Sequence, residues 1–507
     1  KNMNIVIKKQ RQLFTFMLVM IIGIIYCSSK RIITMDEPLS FSLSNEASLY
    51  HPGWVLIKEH GWMLKDNFTG YGVTHAPFNY SQVIINQAAD VHPPLYYILM
   101  HTICSFFPYR LSIWFGLGIN YLFYLMNAII IYITSKKIIK NELISILIML
   151  LYSINFQVLE MLNFIRMYMM VSFFVLLFVF SAYKLICDNK NEKMNIVLLF
   201  ISTVGGGLTH YFFYVAIISI CLPIAVYLLI KRKYKLLLTS ASVVIIACLL
   251  NVFIFFPATI EHVFTTNQSN HSSTIINNFI NMGIDYNRFN TFINFTFFKG
   301  IGFYSGLVLI FINMILYVKN KDKNILFLIL IFISYYINFY IAQKTATYIQ
   351  PRYIYPMEIV GLLCYLTSVF IISKQYKFII LKILFLLFIT FKNLNINSIV
   401  YSLKLVPSWE IAKANQYGVA VFLTDGTATV GINFLDLRWY HAVGVTSIYE
   451  PFSNEIDKNF ICYIQKTLDK TEAISYLRQQ IDKEFIIEKI NNTDTLEFDL
   501  YMVTIDN

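Results

Sequence analysis

The sequence predicts a polytopic α-helical membrane protein that carries a small soluble α/β domain in its last hundred residues. Three observations lead there. Of 507 residues, 57% are hydrophobic and only 14% charged, with a mean hydropathy of +0.59, well outside the balance of a soluble globular chain. Apolar runs of roughly 16 to 23 residues, the length needed to cross about 30 Å of hydrocarbon, recur through the first 400 positions. Charge is also unevenly divided: from Pro407 onward there are 15 Asp and Glu against 8 Lys and Arg, a balance of −7, so with a total of +11 the preceding residues carry +18. A basic excess confined to the apolar part belongs to membrane topology and not to nucleic acid.

The apolar runs fall at 13–28, 112–134, 143–158, 167–186, 194–209, 211–230, 236–256, 300–318, 325–342, 353–373 and 377–397, about eleven spans. The first follows Lys8, Lys9 and Arg11 like a signal peptide, but no small-x-small cleavage site comes after it, so an uncleaved first helix is expected. Basic clusters occupy every second connection: Lys1/Lys8/Lys9/Arg11, Lys136/Lys137/Lys140, Lys184/Lys190/Lys193, Lys231/Arg232/Lys233/Lys235, Lys319/Lys321/Lys323 and Lys374/Lys377. The positive-inside rule makes these connections cytoplasmic, together with the N-terminus. Lys30 and Arg31 are the exception, on the outer side directly after the first run.

The alternate connections are then outward-facing: a first loop of about 29–111, turns near 160–166 and 205–210, an Asn/Ser/Thr-rich loop at 257–299, and 342–352. All nine histidines (51, 60, 75, 92, 101, 210, 262, 271, 441) lie on that side or in the tail. The segment 95–107 is apolar but too short to span, and counting it as a span would put Lys136–140 outside. It reads as an interfacial helix within the first outer loop. From 401 to 507 the apolar runs shorten and acids appear, with strand-like stretches at 419–423, 485–487 and 496–502 and a helical one at 464–480. This is expected to be an extracytoplasmic α/β domain. Thr424-Asp425-Gly426 in it reads as an ordinary turn. The seven cysteines (27, 104, 187, 221, 248, 364, 462) show no C-x-x-C or paired spacing, so neither a disulfide framework nor a zinc knuckle is expected.

Two strings stand out chemically. Asp36-Glu37-Pro38 sets two carboxylates just beyond the first run, where ionised acids need water, a cation or a substrate to be tolerated. Asp90-Val91-His92-Pro93-Pro94-Leu95-Tyr96-Tyr97 holds a histidine ahead of two prolines, which remove two backbone donors and keep the preceding residue extended.

Taken in order with Arg166-Met167-Tyr168, Thr209-His210-Tyr211 and Gln350-Pro351-Arg352-Tyr353, each opening an apolar run, these strings resemble the C-type membrane glycosyltransferases (GT-C). The group that contains the protein O-mannosyltransferases and the aminoarabinose transferase of lipid A is the nearest in pattern. The resemblance covers about residues 1–400 and makes them a GT-C-like catalytic module; the tail contributes nothing to it. It implies a sugar, hexosyl or pentosyl, carried on a polyprenyl phosphate and bound from the outer leaflet of the plasma membrane. Transfer would go to a hydroxyl of a cell-surface glycan, lipid or protein, with inversion at the anomeric carbon. Asp36 matches the family's catalytic acid, which takes the proton of the attacking hydroxyl, and Glu37 is the second candidate.

Guanidinium groups suit the departing phosphate because they stay charged and can bond two oxygens at once. Arg166 and Arg352 are the expected pair, with His210 and Lys344 as further donors, and His92, Tyr168 and Asp90 are expected to position substrate. Many relatives carry an acid two residues before the arginine of R-M-Y, whereas Phe164 stands there in this chain. No cofactor is assigned, and a divalent metal is left open without a ligand set. The alternative reading is a lipid or oligosaccharide flippase or transporter. Such a protein would set ionisable residues at the midplane of several helices, often with inverted repeats; here the charges lie at run ends and no repeat is visible. A polysaccharide polymerase or ligase would use outer arginines without needing the early acid pair, and a scaffold would leave the ordered motifs without a purpose.

Overall fold

A computed structural model describes residues 2–30, 36–45, 62–64, 72–188, 191–264, 285–298, 300–346, 350–376, 418–424, 442–447, 458–490 and 498–505. The chain divides into two compact units, one of Lys1–Ser28, Asp90–Tyr96 and Gly116–Asn395, the other of Ser29–Ala89, Tyr97–Phe115 and Ile396–Asn507. The predicted polytopic helical architecture is present. Among the described residues, eight helices are long and apolar enough to cross a membrane, or nine if one bent pair counts as a span.

Eight of the eleven predicted runs correspond to those single helices. The run 143–158 is instead a broken pair, α6 (Glu142–Ser153) and α7 (Phe156–Asn163), bent by 54°. The break has a local cause: Ile154 closes the first helix and Asn155 caps the next, its side chain accepting from the Val158 N–H at 3.3 Å. The run 194–209 forms α9 (Glu192–Gly207), only 16 residues, short for a straight crossing. The run 377–397 lies outside the described residues, as do 265–284 within the 257–299 loop and Asp425-Gly426.

Three spans position the candidate site. The helices α8 (Tyr168–Tyr183), α10 (Phe212–Ile230) and α16 (Tyr355–Tyr376) each begin at, or within two residues of, the end of one of the motifs. Of the spanning windows, 78% of the one containing α8 and 89% of the one containing α16 are buried, against 11% for the window beginning at Tyr234. The first two are therefore the centre of the helical unit, and α11 (Tyr234–Leu250) is a peripheral helix that faces lipid.

In the second unit, α2 (Asp36–Asn45) packs on α3 (Tyr80–Ala89). The expected interfacial segment is partly realised as α4 (Leu95–Ser105), 11 residues long. Among the described residues the sheet has six strands in the order β1-β3-β2-β4-β6-β5. Parallel pairing joins β2 (Val419–Thr424) to both β3 (Ala442–Ser447) and β4 (Phe460–Gln465), while β6 (Phe498–Ile505) is antiparallel to β4 and to β5 (Phe485–Lys489). Val421, Leu423, Cys462, Ile464, Val503 and Ile505 bury one face against Ala473 and Leu477 of α17 (Lys470–Gln480).

Two features differ from expectation. The predicted helix 464–480 begins only at Lys470, where Asp469 accepts from the Thr471 and Glu472 N–H groups. The apolar Phe-Ile-Cys-Tyr-Ile run before it is strand β4. The outermost strand, β1 (Trp62–Leu64), comes from the first loop and pairs antiparallel with β3, Trp62 opposite Gly444 and Leu64 opposite Ala442.

Candidate functional site

The site is built on the Pro-Pro corner. Pro93 and Pro94 are buried, and the next residue, Leu95, donates its N–H to the Leu208 carbonyl at 2.9 Å. That bond ties the corner to the end of α9 beside His210. His92 Nδ1 lies 2.6 Å from Asp90 Oδ2, and Arg166 Nη2 lies 3.3 Å from His92 Nε2. Because a carboxylate only accepts and a guanidinium only donates, these contacts fix the imidazole: Nδ1 carries the proton and donates to Asp90, and Nε2 is bare and accepts from Arg166. The three residues form a relay from carboxylate through neutral imidazole to guanidinium.

The electrostatics agree with that assignment. Burial by itself would raise the Asp90 carboxyl, but the charge and hydrogen bond of His92, with Arg166 behind them, hold it at about 2. Burial pushes His92 down, Asp90 opposes this, and Arg166 and His262 add to it. The structure thus gives an ionised Asp90, a neutral His92 and a charged Arg166 that is only 3% exposed.

Arg166 is set by a tight turn between α7 and α8, in which its N–H donates to the Phe164 carbonyl at 2.7 Å. The side chain of Asn120, from α5 (Ile113–Ile139), donates to the carbonyls of both Leu162 and Phe164, at 3.2 and 2.6 Å. Phe164 stacks on Tyr168 with ring centroids 5.7 Å apart and planes 7° from parallel.

His210 follows Gly205-Gly206-Gly207. A Cβ at Gly206 would lie 2.2 Å from the buried ring of Phe213, so only glycine lets the end of α9 turn this closely onto α10. His210 Nδ1 accepts from the Phe212 N–H at 3.0 Å, which makes Nε2–H the donor of the neutral ring. Burial, then His92 and Arg166, press its pKa well below the ordinary histidine range. Its ring lies 5.9 Å from His92 and 5.2 Å from Tyr168. A chain of rings continues through Phe212 to Tyr353, 5.1 Å apart, and the Arg352 guanidinium sits 5.5 Å over the Tyr353 ring.

Asp90, His92, Arg166, Tyr168 and His210 are therefore in direct contact, and Arg352 connects to them through two aromatic rings. The starts of α8, α10 and α16 meet here, since Tyr168 also packs edge-on against Tyr355, and helix starts favour anions. Lys344 is in the last turn of α15 (Lys323–Thr345). Arg288 fastens that turn by donating to the carbonyls of Gln343 at 2.8 Å and Ala346.

Asp36 and Glu37 belong to the other unit and open α2. Glu37 is fully buried and ion-paired with Lys30 at 2.9 Å, while Asp36 is half-buried. Among the described residues, no group of three or more His, Cys, Asp or Glu side chains could hold a metal ion.

Sequence reading missed three contributors. His262, whose Nδ1 is 2.7 Å from the Tyr211 hydroxyl, was signalled only by the shared sidedness of the histidines. Asn120 could have been noticed as an amide inside an apolar run. Glu358, buried, accepts from the Phe297 N–H at 3.0 Å and the Tyr335 hydroxyl at 2.9 Å, and could have been noticed as an acid just inside the 353–373 run.

No protein-family model matches the sequence, and no curated protein matches it. Solved structures do. ArnT from Cupriavidus metallidurans bound to undecaprenyl phosphate superposes with a TM-score of 0.50 at 8% identity, over 97% of this chain and 98% of that one. The apo oligosaccharyltransferase of Archaeoglobus fulgidus gives 0.47 at 11%, over 94% and 69%. The chain has the C-type membrane glycosyltransferase fold that its motif order predicts.

Proposed function

We propose that this protein is a membrane glycosyltransferase that moves a sugar from a polyprenyl-phosphate donor to an acceptor hydroxyl with inversion. The observation that carries the reading is the partly buried Asp90–His92–Arg166 relay in a chain of this fold. A guanidinium held in one orientation by a neutral histidine and a remote carboxylate is pre-organised for a phosphate whose negative charge grows during reaction. In the proposed step the acceptor oxygen forms a bond to the anomeric carbon as the carbon–oxygen bond to phosphate breaks. The electron pair leaves with the phosphate, toward Arg166, the His210 Nε2–H and Arg352, with Lys344 as an accessory cation. The acceptor proton goes to the Asp36 carboxylate, a role resting on the motif resemblance, and Glu37 is the secondary acid.

The proposed setting is the plasma membrane, with the lysine-rich turns in the cytoplasm and the motif residues outside, as the distribution of basic residues supports. Residues 1–400 are proposed as the catalytic module and 401–507 as an extracytoplasmic domain facing a glycan, lipid or protein acceptor.

The test is transfer from a radiolabelled polyprenyl-phosphate sugar by purified protein. Asp36→Asn is expected to lower turnover by about 10²–10⁴-fold. Arg166→Lys, which keeps charge but loses the planar fork, is expected to lower it by about 10²–10³-fold. Near-normal turnover in Asp36→Asn rejects the base assignment, and near-normal turnover in Arg166→Lys rejects the phosphate role.

A further inference from the structure

At the opposite ends of α8 and α10 from the motif residues, two cavities meet. One is apolar, about 110 Å³, enclosed by α8–α11 and lined by residues including Phe178, Leu199, Ala225 and Ala241. The other is polar, about 420 Å³, lined by Arg232, Lys233 and Lys235, with Glu192 as its one acid. Leu185 and Leu236 line both, so the apolar slot opens directly under the basic one. Lys184 also borders the polar cavity, but its ammonium is engaged by Asp188. Among the described residues no side chain pairs with Arg232, Lys233 or Lys235, and Arg232 adopts φ 55°, a left-handed conformation in the turn between α10 and α11.

Three unpaired cations above an apolar slot, on the face that holds the lysine-rich turns, have the shape and polarity of an anionic lipid. We propose that this composite cavity binds a phospholipid with an anionic headgroup: the phosphate sits among Arg232, Lys233 and Lys235, and one acyl chain enters between α10 and α11 past Leu185 and Leu236. The charge favours an anionic headgroup over a zwitterionic one because the net balance of the lining is positive. The apolar slot distinguishes a lipid from a free phosphate. Tyr234, exposed at the same turn, provides an aromatic anchor at headgroup depth.

The test uses the purified full-length protein in mild detergent, with native mass spectrometry reading retained lipid. Phosphatidylglycerol and phosphatidylcholine of equal acyl composition are compared, with inorganic phosphate as a competitor. Wild type is expected to retain one phosphatidylglycerol under conditions that strip phosphatidylcholine. The triple variant R232Q/K233Q/K235Q is expected to lose this preference by about 10–100-fold, the size that three surface cations supply. Ala241→Phe, which fills the slot without touching charge, is expected to lower retention of phosphatidylglycerol while leaving the melting curve in place. The proposal is overturned if the triple variant keeps the wild-type preference, if Ala241→Phe retains lipid as wild type does, or if inorganic phosphate displaces the lipid at equal concentration. None of these readouts depends on sugar transfer.

Discussion

Replacing Asp90 by Asn isolates the charge at the far end of the relay. The amide oxygen can still accept from His92 Nδ1, so geometry is preserved while the negative charge is lost. The wild-type carboxyl is held at about 2 against an ordinary value of 3.8. That difference corresponds to about 2 kcal/mol of folding stability at neutral pH, and the side chain is 16% exposed, so solvent screening takes little of it. The sign follows from the depressed pKa: the stabilisation is fully present above the unfolded value near 4 and is lost as pH falls toward 2. Wild type and Asp90→Asn should therefore differ by about 2 kcal/mol from pH 7 down to pH 5 and by roughly half that at pH 3. Unfolding curves in mixed micelles across this range measure the gap. A gap below about 0.5 kcal/mol at pH 7, or one that does not narrow on acidification, refutes the relay as an electrostatic unit.

Three further outcomes are expected. Arg352→Ala should weaken binding of a polyprenyl-phosphate sugar by about 10–100-fold, the worth of a charge-assisted hydrogen bond; unchanged affinity in equilibrium dialysis would leave Arg352 as a headgroup anchor. Gly206→Ala should lower stability by about 1–3 kcal/mol despite better helix propensity, because its Cβ meets a Phe213 ring that is itself fully buried, and thermal unfolding reads this directly. Lys30→Met should cost about 3 kcal/mol by stripping an ion-pair partner from the buried Glu37, and the double variant Lys30→Met/Glu37→Met should recover most of the loss.

Much of this molecule was legible because its signals are local. A span is one contiguous run, and a lysine cluster marks a turn whatever lies elsewhere, so the helical architecture followed from the chain in order. What was not legible depends on pairing at a distance. The three residues of β1 carry no strand signal of their own and gain a partner only in β3, some 380 positions later. The last two residues of β4, Ile464 and Gln465, were taken into the helix 464–480 because a continuous apolar run has no period to distinguish the two, although Asp469 three residues before Glu472 marks the true helix start. Lys30, which with Arg31 departs from the expected charge pattern, is paired with the buried Glu37, and a charge in a buried ion pair is not a solvated topogenic one.

The substitution at Phe164 is where reading by pattern and reading by contact diverge most. Beside the relatives' pattern, Phe164 looks like the loss of an acid near Arg166 and puts a second carboxylate in doubt. In three dimensions Phe164 contributes its carbonyl to the turn that aims Arg166 and its ring to the stack on Tyr168. The counter-charge arrives instead from Asp90 through His92, a residue 74 positions before Arg166 in sequence. A carboxylate acting through a neutral imidazole contributes a counter-charge to the guanidinium, so Arg166 is both compensated and oriented. Restoring an acid directly at 164 would add a second negative charge beside an arginine already balanced. Phe164→Asp should therefore weaken donor binding in the same dialysis assay, and a variant that binds donor more tightly than wild type would show that the relay leaves Arg166 under-compensated.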